Sequence, residues 1–122
     1  PEEIDYINDH GTSTPKGDST EPRALSAALG EAAKKIPQSS TKSMTGHLLG
    51  GAGGLETIVT IMSMIKGLIP ATRNTKDLIT HDYDIVIGEP RQKRLNIVGN
   101  NVLGFGGINH FSLWARWPYY PS

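Results

Sequence analysis

The sequence predicts an α/β fold in which helices pack on a mixed β-sheet. Alternating apolar and polar residues at 4–8 predict a first strand. Helical and strand patterns then follow in the order helix, strand, helix, and two or three further strands, an alternation that is typical of the α/β class. The 122 residues are enough for one small domain and too few for two.

A loop and a helix follow the first strand. Residues 10–17 are rich in Gly, Thr, Ser and Pro, which favour turns. Asp18 and Glu21 have the spacing of a capping box, so we expect the helix to begin at Asp18. Gly30 weakens this helix, which is expected to end near Lys35. Its apolar stripe consists of Ala24, Leu25, Ala28 and Leu29.

A second helix is predicted over residues 55–65, after a glycine-rich run at 46–54. The helix is apolar nearly all round, which predicts burial on several sides. It is too short to span a membrane, because Glu56 and Lys66 bracket about nine residues whereas a span needs about 20. The glycine run lacks the Gly-Lys-Ser/Thr ending of a phosphate loop, so we expect it to permit close packing rather than nucleotide binding.

The rest of the chain completes the sheet. A short polar strand is predicted at 39–42, and residues 70–83 are expected to be irregular surface chain. Strands at 96–98 and 110–117 flank a tight glycine loop at 104–107. The aromatic tail over residues 114–120 is expected to pack on its own domain or on a partner.

Charge and composition exclude several function classes. Twelve basic and twelve acidic residues give a formal net charge of zero, so there is no basic excess for nucleic-acid binding. The absence of cysteine rules out a disulfide framework, a thiolate zinc site and a thiol nucleophile within this chain. The first residue, Pro1, is neither a translation start nor part of a signal peptide, and we expect the chain to be a piece of a longer protein.

Two histidines are the candidate site residues. His10 follows a predicted strand and His47 stands before a predicted helix, which are positions where α/β proteins build sites. Such a pair can act as acid and base, as oxyanion donors or as metal ligands. Metal binding is the weaker interpretation, because no His-Glu-x-x-His spacing occurs. Gly-x-Ser-x-Gly is also absent, which argues against a hydrolase.

Three segments together resemble a known family. They are HGTSTPKGD at 10–18, SSTKSMTGHLLG at 39–50 and NVLGFGGIN at 101–109, and GLIPAT at 67–72 fits between them. In order and spacing they are similar to the β-ketoacyl-acyl-carrier-protein synthases of fatty-acid and polyketide synthesis. The resemblance is to the elongating type with two active-site histidines rather than to the initiating type with one.

The resemblance implies a thiolase-like fold, in which two similar α/β halves pack into five layers. Residues 1–122 resemble the C-terminal half, so the N-terminal half with the nucleophilic cysteine is missing and the chain alone is expected to be inactive. Without that half we expect self-association or a large exposed apolar patch at Ile58, Met62 and Ile65. The implied partners are acyl-carrier protein, the missing half and a second copy of the complete cytoplasmic enzyme, with no nucleic acid.

The implied reaction is a decarboxylative Claisen condensation between an acyl-cysteine and malonyl on a carrier protein. No metal or organic cofactor is implied, since the substrates are carried on the phosphopantetheine of acyl-carrier protein. By this resemblance His10 and His47 donate hydrogen bonds to the thioester oxygen that becomes an enolate. Lys42 holds the histidine network by pairing with an acid, for which Glu21 is the expected partner, and Asp18 fits the accompanying acidic position.

Three further residues have implied roles beside the histidines. The backbone N–H of Phe105 would supply half of an oxyanion hole for the acyl thioester, and its ring would gate the acyl pocket. Thr12 and Thr14 match positions that hydrogen-bond the pantetheine arm. The chain departs from the family pattern around this region, which leaves its preferred acyl length open. The departures are Val102, Leu103, Ile108 and Lys16.

Three alternative functions remain open on the sequence. A non-catalytic partner subunit similar to a chain-length factor would be expected to lose one or both histidines, and this chain keeps both. A carrier-protein-binding module is compatible with the lack of a nucleophile. A thiolase-type degradative enzyme is a weaker alternative, because its motifs differ around both histidines.

Overall fold

The structure is a computed structural model that describes residues 1–118. Two 3₁₀ turns, Leu49–Gly51 and Phe105–Gly107, precede the last helix and the last strand. The helices and strands are, in chain order, β1 (Tyr6–Asn8), α1 (Pro15–Leu29), α2 (Ala32–Lys35), β2 (Gln38–Ser39), α3 (Lys42–Thr45), α4 (Ala52–Lys66), β3 (Leu68–Ile69), β4 (Arg91–Gln92), β5 (Ile97–Leu103) and β6 (Asn109–Ala115).

Four strands form one mixed sheet in the order β2, β1, β5, β6. β1 runs parallel to both β2 and β5, whereas β6 runs antiparallel to β5. The predicted mixed sheet is therefore confirmed. Because the carboxyl ends of parallel strands lie at one edge of a sheet, the segments after β1, β2 and β5 emerge side by side. His10, Lys42 and Phe105 lie in these three segments.

The two faces of β1 pack against different helices. Tyr6 belongs to a core cluster with Met64 of α4, and Ile7 belongs to a second cluster with Leu25 of α1. Successive side chains of a strand point to opposite faces of the sheet. The sheet therefore lies between α4 on one face and α1 on the other, as expected for helices packed on an α/β sheet.

The start of α1 differs from the prediction. Thr14 is the N-cap, since its side-chain oxygen accepts a hydrogen bond from Gly17 N at 3.2 Å. Pro15 occupies the first helical position, where proline is favoured because no N–H is needed there. Asp18 lies inside the first turn and accepts a hydrogen bond from Ser13 N at 3.2 Å. The capping-box prediction is wrong, because Thr14 supplies the cap.

Other element boundaries differ for local reasons. α1 stops at Leu29 because Gly30 adopts a φ of 65°, and the separate helix α2 follows it. Of the strand predicted at 39–42, only the first residue lies in β2, and Lys42 already begins α3. The strands predicted at 96–98 and 110–117 correspond to β5 and β6.

The segment between α4 and β5 holds a feature that was not predicted. β3 and β4 form a separate two-stranded antiparallel pair, with Leu68 opposite Gln92. Residues 70–83 between them contain no helix or strand, as predicted. Of the aromatic tail, Trp114 lies on β6 and Trp117 is exposed, whereas Tyr119 and Tyr120 lie outside the described residues.

In the long helix α4, several polar side chains are buried and several apolar side chains are exposed. Its buried residues include Glu56, Thr60 and Ser63, whereas Ile58, Met62 and Ile65 are 61%, 41% and 59% exposed. The apolar patch that we expect in the absence of the N-terminal half is therefore present. Within residues 1–118, no helix is both long and apolar enough to cross a membrane.

Candidate active site

The backbone around His10 is held by the buried carboxylate of Glu21. Glu21 Oε1 accepts a hydrogen bond from His10 N at 2.7 Å, and Oε2 accepts one from Gly11 N at 2.8 Å. Asn101 of β5 donates from Nδ2 to Oε1 at 2.6 Å. Burial raises the pKa of the Glu21 carboxyl, and these donors oppose the rise. Glu21 thus ties α1 to the ends of β1 and β5.

Gly11 brings this segment close to the segment after β2. Its φ is 36°, and a Cβ at this position would lie 2.5 Å from the Cβ of Ser40. No side chain fits that distance, so glycine is required here. Ser40 Oγ donates a hydrogen bond to Gly11 O at 2.8 Å, which fixes the approach.

Lys42 forms a buried ion pair, but with a different acid from the one expected. Its Nζ donates to Glu56 Oε1 of α4, and the two side chains are 4% and 2% exposed. Glu21 forms no ion pair with Lys42, because its oxygens are occupied by the donors described above. The expected Lys42–Glu21 pair is therefore wrong. Lys42 Nζ also lies 3.4 Å from His10 Nδ1, so the lysine does contact the histidine.

The second histidine lies beside the first. His47 follows α3 and is exposed, and its ring centroid is 5.4 Å from that of His10 with the ring planes at 89°. The two imidazoles therefore lie close together, as the implied donation to one thioester oxygen requires. The pKa of His10 is lowered to about 4 by burial, by the Lys42 charge and by His47. His10 is therefore a neutral imidazole at neutral pH.

The hydrogen bonds assign the same tautomer to both rings. Lys42 Nζ is paired with a carboxylate and can only donate, so Nδ1 of His10 accepts and Nε2 carries the hydrogen. His47 Nδ1 accepts a hydrogen bond from Leu49 N at 3.2 Å, which likewise places the hydrogen on Nε2. Neither Nε2 has a hydrogen-bond partner within residues 1–118. The site therefore offers two neighbouring neutral N–H donors.

A cleft of about 580 Å³ is lined by His47, by residues of α1 and by the loop after β3, whereas His10 is not among its lining residues. Thr12 and Thr14 line it, and their hydroxyl oxygens lie 3.3 Å apart. Burial raises the pKa of the Asp18 carboxyl at its edge. Site residues that line this cleft are Thr12, Thr14, Asp18, Glu21, Lys42 and His47.

Phe105 begins the 3₁₀ turn between β5 and β6. Its ring is 93% exposed and is not among the residues that line the cleft. Gly104 N donates to Ile108 O at 2.9 Å to close the turn, and a Cβ on Gly104 would lie 2.6 Å from that oxygen. The glycine is therefore required for the turn. The implied roles of the Phe105 N–H and ring stay predictions.

Sequence reasoning missed two residues of the site. Glu56 is an acid on an otherwise apolar stretch of helix, and this isolated charge was the signal that it has a buried partner. Asn101 gives no comparable signal, because its contact with Glu21 joins residues 80 positions apart. No group of three or more His, Cys, Asp or Glu side chains within residues 1–118 is arranged to hold a metal ion.

The mixed sheet with helices packed on it is the fold of the thiolase-like class. A model of the β-ketoacyl synthase C-terminal domain matches residues 1–76, and the chain belongs to this family. The 3-oxoacyl-[acyl-carrier-protein] synthase 2 of Synechocystis is 48% identical over 110 residues, which cover 89% of this chain and 26% of that protein. The chain thus spans about a quarter of the length of this relative.

Solved ketosynthase structures have the same fold. The ishigamide ketosynthase/chain length factor superposes with a TM-score of 0.87 at 32% identity, covering 95% of this chain and 28% of that one. A type II polyketide ketosynthase, solved in complex with its acyl-carrier protein and bound to the hexaketide, gives a TM-score of 0.85 at 30% identity over 94% of this chain and 28% of that one. The predicted thiolase-like fold is confirmed.

Proposed function

We propose that this chain is the C-terminal half of an elongating β-ketoacyl-acyl-carrier-protein synthase, and that it supplies the site that stabilises the enolate. The observation that carries the proposal is the pair of neutral imidazoles, 5.4 Å apart, each with its hydrogen on Nε2. Two such donors can both reach one oxygen atom of a small ligand.

The chemistry requires donors of this kind. When a malonyl thioester loses carbon dioxide, the electron pair of the broken C–C bond moves toward the thioester carbonyl, whose oxygen becomes negative. Two N–H groups already oriented toward that oxygen stabilise the charge as it forms. The resulting carbanion attacks the acyl carbon of a thioester on the cysteine of the other half, a C–C bond forms and the cysteine thiolate leaves.

Neutral histidines suit this reaction better than charged ones. An imidazolium could give a proton to the carbanion carbon and end the reaction before condensation, whereas a neutral imidazole donates a hydrogen bond and keeps its proton. Lys42 contributes to this state, since its charge lowers the pKa of His10. Its ion pair with Glu56 in turn holds the ammonium at His10 Nδ1.

The lining of the cleft is suited to a substrate carried on a pantetheine arm. Its hydroxyl-lined wall, which includes Thr12 and Thr14, offers hydrogen-bond partners to the amides of a pantetheine arm. The related ketosynthase that was solved with its acyl-carrier protein supports the same partner for this chain. With the substrates carried on that arm, the proposed steps need no organic cofactor and no metal ion.

The exposed face of α4 fits the position of the missing N-terminal half. Ile58, Met62 and Ile65 form an apolar strip on a helix whose opposite side already packs on the sheet. We propose that the half with the cysteine covers this strip and that the complete enzyme is a homodimer. The alternative of a non-catalytic partner subunit similar to a chain-length factor is less well supported, because both histidines and their lysine are present and converge.

The test is the release of carbon dioxide from carboxyl-labelled malonyl-acyl-carrier protein by the complete enzyme. His10→Ala and His47→Ala are each expected to slow the release about 10²–10³-fold, which is typical for loss of one oxyanion donor. His81→Ala is the matched control, since His81 is exposed and does not line the cleft. Unchanged release in both site variants would contradict the proposal and favour the non-catalytic alternative.

A further inference from the structure

Asp9 is a buried carboxyl group that the proposed mechanism does not use. It lies between β1 and His10, and only 9% of its surface is exposed. Its backbone N–H continues the parallel ladder by donating to Ser39 O at 2.9 Å. The side chain lines the cleft, and its Oδ1 is buried without a hydrogen-bond partner within residues 1–118.

The charges around Asp9 disfavour its ionised form. Glu21 and Asp18 face it from α1 and Lys42 faces it from α3, while His10 is its neutral neighbour in the chain. Lys42 is already paired with Glu56, so three buried carboxyl groups share one ammonium group. The lining of the cleft also includes Arg73, Lys76 and Asp77 from the loop after β3.

The carboxyl groups of Glu21 and Asp9 differ in the hydrogen bonds that they accept. Glu21 receives three N–H donors, whereas none is directed at the side chain of Asp9. Burial raises the pKa of Asp9 well above its ordinary value, and the Glu21 carboxyl adds to the rise. A neutral carboxylic acid carries one O–H donor, and an unused donor in a buried site is unfavourable unless a ligand accepts from it.

We infer that Asp9 is a positioning residue that, as a neutral acid, donates a hydrogen bond to an amide or carbonyl oxygen of the carrier arm in the cleft. The inference rests on the proposed function, because that function puts an arm with two amides against this wall. Rotation about the terminal side-chain bond has broad minima, so either carboxyl oxygen can turn toward the cleft. The hydroxyl groups of Thr12, Thr14 and Thr72 on the same cleft suit an uncharged polar ligand.

The experiment is a titration of the 122-residue chain with D-pantetheine, followed by ligand-observed NMR across a pH series. We expect affinity to fall as the pH rises through the pKa of Asp9, since ionisation removes the donor. Asp9→Asn keeps an N–H donor at the same place, so its affinity is expected to match that of the protonated wild type at every pH. Asp9→Ala is expected to bind about 3- to 10-fold more weakly, the equivalent of one hydrogen bond.

Two further readouts separate positioning from a structural role. By reciprocity, saturating pantetheine is expected to raise the pKa of Asp9 measured from its carboxyl ¹³C shift. Asp82→Asn is the matched control, because Asp82 is exposed and does not line the cleft. Its titration is expected to follow that of the wild type.

The outcomes distinguish this inference from the proposed function. Equal binding by wild type and Asp9→Ala, or an unchanged pH dependence in Asp9→Asn, would overturn the role of Asp9 and leave the decarboxylation test of the histidines standing. Absence of pantetheine binding by the wild type would overturn the inference too, by removing the arm from this cleft. Retained decarboxylation in the histidine variants would instead contradict the proposed function.

Discussion

Replacing Glu56 by Gln leaves the buried ammonium of Lys42 without a counter-charge. Both side chains are almost fully covered, at 4% and 2% exposure, so water cannot replace the lost carboxylate. Removing one partner of a buried ion pair typically costs about 3–5 kcal/mol. Since Gln keeps the volume and one acceptor oxygen, we expect the free energy of unfolding to fall by about 3 kcal/mol, a large share of the roughly 5–15 kcal/mol that a domain has.

The assay is equilibrium unfolding of the chain in urea. With a slope of about 2 kcal/mol per molar urea, the expected loss lowers the unfolding midpoint by roughly 1.5 M. Glu31→Gln is the matched control, because Glu31 pairs with Lys34 at 3.0 Å but is 84% exposed. We expect no measurable change there, since solvent screens exposed pairs. Equal midpoints for the two variants would refute the conclusion that the Lys42–Glu56 pair is buried and required.

Three other predictions concern Asp9, His10 and α4. Because the folded-state pKa of Asp9 is raised, its contribution to stability is present below about pH 4 and is lost as the pH rises through the folded pKa. The stability of Asp9→Asn relative to the wild type should therefore increase with rising pH. A stability difference in urea unfolding that stays constant with pH would contradict this. NMR titration of His10 should give a midpoint of about 4, and Lys42→Met should move it upward, whereas an unchanged midpoint would exclude the lysine as a cause. Sedimentation of the isolated chain should show self-association, and the double substitution Ile58→Lys with Ile65→Lys should abolish it. A monomeric wild type that binds no hydrophobic dye would show that the exposed face of α4 does not mediate self-association.

The position of His10 could be predicted from local pattern, because strand periodicity at β1 puts it directly after a strand. The proximity of His10, Lys42 and His47 was implied only by the family resemblance of their motifs. Element boundaries were less predictable where two nearby residues could both cap a helix. Asp is a residue type favoured at N-caps, yet Thr14, which is followed by Pro15 at the first helical position, caps the helix instead of Asp18.

Contacts between distant segments could not be predicted from local patterns. The acid that pairs with Lys42 depends on how α4 lies across the sheet, and both Glu21 and Glu56 were compatible with the sequence. For α4 the apolar pattern predicted burial on several sides, whereas Ile58, Met62 and Ile65 are exposed in this chain. The pattern gave no sign that the side against the sheet would be the polar one, where Asn8 donates to Thr60 Oγ1 at 3.1 Å.

The central claim is that His10 and His47 present two neutral Nε2–H donors side by side. The most direct measurement is a long-range ¹H–¹⁵N correlation spectrum of the histidine side chains at pH 7, with assignments from His10→Ala and His47→Ala. We expect both rings to be neutral with the hydrogen on Nε2, because Lys42 Nζ and Leu49 N donate to the two Nδ1 atoms. A spectrum that shows either ring as the Nδ1–H tautomer, or His10 as an imidazolium at pH 7, would contradict the account.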